Sequence, residues 1–110
     1  METNIISQNP VRNFSIVISG TPAGYGQANI TNTAVNLPSI PSAVDRAIVQ
    51  IETGDNIRWR DDKIDPTASV GSLLYAANII ELNNGASIKD FRCIGVAGTG
   101  VTLNVAYYSK

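Results

Sequence analysis

The segment VTLNVAYY (residues 101–108) alternates along its whole length: Val101, Leu103, Val105 and Tyr107 fall on one side, Thr102, Asn104, Ala106 and Tyr108 on the other. A period of two is the signature of a strand with one face on a core and one toward solvent. The same pattern recurs upstream. In residues 44–52, Ala47, Val49 and Ile51 oppose Arg46, Ile48, Gln50 and Glu52. In residues 56–60, Ile57 and Trp59 read as inward and Arg58 and Arg60 as outward. Residues 14–19 alternate Phe14, Ile16 and Ile18 with Ser15, Val17 and Ser19. Residues 30–37, 78–82 and 91–97 read as further strands, and residues 73–77 as either a strand or a single helical turn.

Gly and Pro punctuate these segments every ten or so residues, and helix signals are nearly absent. The chain therefore reads as all-β, a small antiparallel β-sandwich of jelly-roll or Ig-like kind. Residues 1–13 read as an N-terminal arm and residues 14–110 as one sandwich domain. Residues 20–27 (GTPAGYGQ) read as a loop by composition. Thr53-Gly54-Asp55 and Gly98-Thr99-Gly100 read as hairpin turns, and Asn83-Asn84-Gly85 as a third turn, because Asn-Gly supplies positive φ. Residues 61–72 (DDKIDPTASVGS) form the longest irregular stretch.

Composition excludes several classes of function. The chain has 110 residues, 44% hydrophobic and 15% charged, with a net charge of -1. One core is supportable at this length. A near-neutral chain lacks the basic surface of a nucleic-acid binder, and no apolar run is long enough to span a membrane. The first residues lack the basic and apolar regions of a signal peptide. There is no His, so imidazole catalysis and His-ligated metals are excluded. The one cysteine, Cys93, lies in a strand-like setting and reads as a small buried hydrophobe rather than a reactive thiol. No catalytic residue, cofactor or metal is expected.

Four groups of residues stand out. Asp61, Asp62 and Asp65 have the oxygen chemistry for Ca²⁺, but neither the EF-hand spacing nor its closing Glu; turn capping and pairing with Arg58, Arg60 or Lys63 is the plainer reading. Arg58, Arg60, Asp61 and Asp62 are expected to fix the loop that follows by charge-assisted hydrogen bonds. Trp59 is expected in the core near Val49, Leu103 and Val105. Ile5 and Ile6, the adjacent apolar pair of the arm, and Tyr25 are the expected interface residues.

The stretch IETGDNIRWRDDKIDPTASVG (residues 51–71), with Gln50 before it and LNVAYY (residues 103–108) at the far end, resembles a family of small virion proteins of tailed bacteriophages. The resemblance covers about the last two-thirds of the chain and is carried chiefly by the Trp-Arg-Asp-Asp sequence. It departs at Lys63, where the family usually has Gly, so Lys63 must take a backbone geometry that Gly adopts more readily or the turn must differ. The resemblance implies a β-sandwich and a structural, non-enzymatic role in the particle, made in the bacterial cytoplasm. Capsid decoration, as a homo-oligomer that clamps neighbouring major capsid subunits, is the first expectation. A neck, tail or fibre-associated protein bound to other virion proteins is the second. A small carbohydrate-binding β-module is the alternative from a different class.

Overall fold

The computed structural model describes residues 3–6, 15–18, 20–97 and 100–109. In chain order the elements are β1 (Thr3–Ile6), β2 (Ser15–Ile18), β3 (Thr21–Ile30), β4 (Val35–Asn36), β5 (Arg46–Thr53), β6 (Ile57–Arg60), β7 (Ser72–Leu74), β8 (Ile79–Leu82), α1 (Gly85–Asp90), β9 (Arg92–Gly95) and β10 (Val101–Ser109). The chain is all-β apart from α1. Two antiparallel sheets of four strands, ordered β3-β10-β5-β8 and β4-β9-β6-β7, form a small β-sandwich, while β1 and β2 make a separate two-stranded ribbon. Within β2, Ile16 stands opposite Ile5 of β1.

The strand order chooses between the two sandwich types. β3 pairs with β10, β4 with β9, β5 with β8 and β6 with β7. This nesting is that of one long hairpin, with its tip between β6 and β7. The β5–β10 and β6–β9 pairs then roll the hairpin into two layers. That is the eight-stranded jelly roll; the Ig order, ABED on CFG, is not followed.

The inward residues of the alternating segments fill the core. Ala47, Val49 and Ile51 of β5 and Val101, Leu103, Val105 and Tyr107 of β10 are essentially fully buried. They face Ile57 of β6, Leu74 of β7 and Cys93 of β9, with Phe91 between α1 and β9. Each large aliphatic side chain so enclosed contributes about 1.5–3 kcal/mol. Trp59 is not among this fully buried set. It lies on β6, in the sheet opposite Val49, Leu103 and Val105. It is half-buried at the core margin and stacks on Phe91, with ring centroids 5.2 Å apart and planes 14° from parallel.

Four local expectations are corrected. Residues 20–27 are not a loop: nearly all belong to β3, a strand of ten residues. Their glycines serve close approach instead of turning. A Cβ on Gly26 would lie 2.6 Å from the Pro38 carbonyl oxygen, and one on Gly24 would lie 3.1 Å from Pro41. The β4–β5 connection thus seats against the inner side of β3, and the Tyr107 hydroxyl donates to that same Pro38 oxygen at 2.5 Å. The expected strand over residues 30–37 is accordingly cut short, leaving only the two residues of β4.

The turn at 53–55 does not close a hairpin, and residues 98 and 99 of the other expected turn lie outside the described residues. β5 and β6 lie in different sheets, as do β9 and β10, so both connections cross between layers. They meet there: Gly54 has φ +107°, and a Cβ on it would come within 2.7 Å of the Gly100 carbonyl oxygen. Asn83-Asn84-Gly85 is not a hairpin turn either. Asn84 is extended at φ -148°, and its Oδ1 accepts from the Ser87 N–H at 2.7 Å, which caps α1. Six residues of helix follow, held by the buried Ile88.

Candidate functional site

The 61–71 connection between β6 and β7 gathers most of the side chains singled out by sequence. β6 presents Arg58 and Arg60 on either side of Trp59, and each arginine takes a different job. Arg58 reaches across the base of the loop, donating from Nε to the Ala68 carbonyl at 3.1 Å and from Nη1 to the Gly71 carbonyl at 2.8 Å. Arg60 grips Asp62 with two parallel bonds, Nε to Oδ1 at 3.0 Å and Nη2 to Oδ2 at 2.5 Å. This fork geometry is the strong form of the arginine–carboxylate pair. It holds the Asp62 carboxyl below its usual range, chiefly through the side-chain hydrogen bond.

Asp61 turns away from both arginines and accepts from the Ser87 hydroxyl of α1. Asp65 pairs with Arg92 of β9 at 2.7 Å, which lowers its pKa in the same way. Arg92 also donates to Asn36 Oδ1 at 2.6 Å and the Ala34 carbonyl at 3.1 Å. Farther along, Thr67 closes a tight turn, its Oγ1 accepting from the N–H groups of Ser69 and Val70 at 3.3 and 3.0 Å. Pro66 is buried beneath it. The three carboxylates thus have three separate partners, and among the described residues no group of three His, Cys, Asp or Glu side chains converges as a metal site would require.

Backbone strain marks the same connection. Lys63 sits at φ +67°, in the left-handed region, where the sequence resemblance leads one to expect Gly. Gly71 has φ +132°, and a Cβ there would press within 3.1 Å of the Trp59 carbonyl oxygen.

On this pinned frame apolar side chains face outward. Ile64 is 54% and Val70 51% exposed, and Tyr75, just past β7, is 57% exposed. Between the loop and β6 runs an open groove of about 390 Å³ lined by Trp59, Arg60, Asp61, Asp62, Val70 and Ser72. The pocket is shallow, and its Arg60 and Asp62 heads are already bonded to each other.

The remaining expected site residues lie elsewhere. Tyr25 is 60% exposed on β3, at the edge of the other sheet. Ile5 and Ile6 are on β1, and their side chains lie outside the described residues. Val49, Leu103 and Val105 are enclosed in the core. Cys93 is enclosed too, and burial pushes its thiol up to about 12.

Sequence reasoning missed Arg92, Ser87 and Phe91, which complete the loop's anchorage and the aromatic stack. It also missed a polar chain on the outer face of the β3 sheet. There Gln27 Nε2 donates to Asn104 Oδ1 at 2.9 Å, and Asn104 Nδ2 donates to Glu52 Oε1 at 2.6 Å. Glu52 and Asn104 occupy outward positions in alternating segments, which is visible in sequence, whereas Gln27 lies in the stretch that reads as a loop. Which of them stand side by side depends on strand pairing, which is not visible there.

No protein-family model, no curated protein and no solved structure matches this chain.

Proposed function

We propose that this chain is a structural protein of a tailed-bacteriophage particle, a capsid decoration protein that binds major capsid subunits and performs no catalysis. One observation carries the reading. The 61–71 connection is held by Arg58, Arg60 and Arg92, yet it turns Ile64 and Val70 outward with more than half their surface in water. Ordering a loop to display apolar side chains costs conformational entropy and hydration, and a partner that covers them recovers both. The same loop holds the sequence that resembles the virion family. Jelly rolls recur in viral shells, which agrees with the reading at the level of fold alone.

The test is copy number in purified particles, measured by quantitative mass spectrometry against the major capsid protein. Decoration expects hundreds of copies. A handful, in multiples of three or six, moves the protein to the neck, tail or fibres. Absence from particles overturns the structural role.

A second reading, a carbohydrate-binding module, draws on the groove, where an aromatic ring lies beside two carboxylates and a hydroxyl. Glycan-array binding that Trp59→Ala abolishes would favour it. Against it, one face of Trp59 is already taken by Phe91.

A further inference from the structure

The sheet edges are guarded unequally. β4, β7 and β8 are edge strands of two, three and four residues. β8 also carries Glu81, ion-paired to Arg46 on the neighbouring strand. β3 is an edge of ten residues, TPAGYGQANI, with no charged side chain. Among the described residues no strand pairs with its outer side. Pro22 and a register shift opposite Tyr107 and Tyr108 interrupt only its first part, so among the described residues the outer side of residues 24–30 has no strand partner for its N–H and C=O groups. Brevity, charge and proline are the ordinary protections of a sheet edge, and this stretch has none of them.

Directly before β3 in the chain stands a second unpartnered feature. Among the described residues β1 and β2 pair with each other and with neither four-stranded sheet. Their register sets Thr3 opposite Ile18 and Ile5 opposite Ile16. A lone two-stranded ribbon is marginal in water and gains stability by joining a third strand. Among the described residues the ribbon does not extend β3 of its own chain: only two residues separate the end of β2 from the start of β3, and the partner of β2 is β1.

We propose that β3 is an intermolecular edge, and that the strand it receives comes from the N-terminal ribbon of a second copy of this chain. Main-chain bonds to residues 24–30 supply the pairing, as in other cases of strand addition. Each copy gives a ribbon and accepts one, a heterologous contact that closes into a ring when the rotation between copies allows. Tyr25, exposed on β3, flanks the junction. The proposal does not depend on a place in a virion.

The test uses the full chain. Sedimentation velocity over a wide concentration range is expected to show one discrete oligomer. Hydrogen exchange of residues 24–30 is expected to slow at least about tenfold in the oligomer relative to the dilute monomer. Ile16→Asp, in the ribbon, and Tyr25→Lys, beside the edge, are each expected to shift the equilibrium to monomer while circular dichroism still reports a folded sandwich. A chain that stays monomeric with rapid exchange in β3 overturns the proposal. So does protection of β3 in the monomer, which would mean that the ribbon folds back on its own edge. An oligomer untouched by both substitutions would place the contact elsewhere and equally refute it.

Discussion

Trp59 and Phe91 share one stacked contact, but Phe91 is fully enclosed and Trp59 only half so, and truncation should separate them. Phe91→Ala is expected to cost about 3–5 kcal/mol, the range for emptying a buried aromatic site. Trp59→Ala should cost about 2 kcal/mol, since its solvent side leaves no cavity. Urea unfolding of the two variants checks the order, and equal losses would contradict the packing described. Sequence marked Trp59 as inward because it shares parity with Ile57; nothing in the pattern says that β6 reaches the end of the core at that residue. Cys93 was legible, as a thiol inside an apolar strand. With its thiol pushed to about 12 by burial, it should resist a thiol reagent at pH 8 and react only as denaturant opens the fold. Asp62 and Asp65 set an acid limit. Arg60 and Arg92 hold both carboxyls below their ordinary value, so the folded chain binds fewer protons than the unfolded one. Their contribution is complete above the unfolded value, about pH 4, and is lost as pH falls through the lower folded value. Both side chains are more than half exposed, so solvent screening keeps the effect small, and it should show first as faster hydrogen exchange in residues 61–71. Asp62→Asn should remove part of that pH dependence.

Among the elements, β5 and β10 were legible nearly to the residue, because one face of each is core and the other is solvent. β3 was not. Its inner positions are Gly24, Gly26 and Ala28, kept small where the β4–β5 connection lies against them, and a strand so built has the composition of a loop. The helix was hidden for a related reason: an Asn that caps a helix and an Asn that starts a turn are the same residue until the next turn of chain is known. Asn84→Ala should destabilise by about 1 kcal/mol, the ordinary worth of such a cap, and thermal unfolding would measure it. The β6–β7 connection allows the opposite experiment. Lys63 occupies a conformation that costs a side-chain-bearing residue about 1–2 kcal/mol, so Lys63→Gly should be neutral or stabilising by up to about 1 kcal/mol once the added freedom of the unfolded chain is subtracted. A clear loss of stability would show that the Lys63 side chain makes contacts that outweigh its backbone.

For the molecule as a whole, the strands could be read but their partners could not. Sequence favours hairpins between neighbours, whereas among the described residues only β1 with β2 and β6 with β7 are consecutive strands that pair. The other ladders join distant segments, up to the β3–β10 pair at the two ends of the sandwich. Such a topology must close large loops before it gains native contacts, so refolding should fall in the millisecond-to-second range typical of all-β domains, as stopped-flow Trp59 fluorescence would show. The distant part of the anchorage of the 61–71 connection escaped sequence for the same reason: Asp65 meets Arg92, and Asp61 meets Ser87, only after the hairpin has rolled up, whereas Arg58, Arg60 and Asp62 stand close in sequence to the loop they hold. The rolling also brings the sandwich's first and last strand positions together. Thr21 stands opposite Ser109 in the β3–β10 ladder, a separation of about 5 Å between paired Cα atoms. The sandwich is therefore a cassette that opens and closes at a single point. It should accept being spliced into a surface loop of another protein without stretching its host.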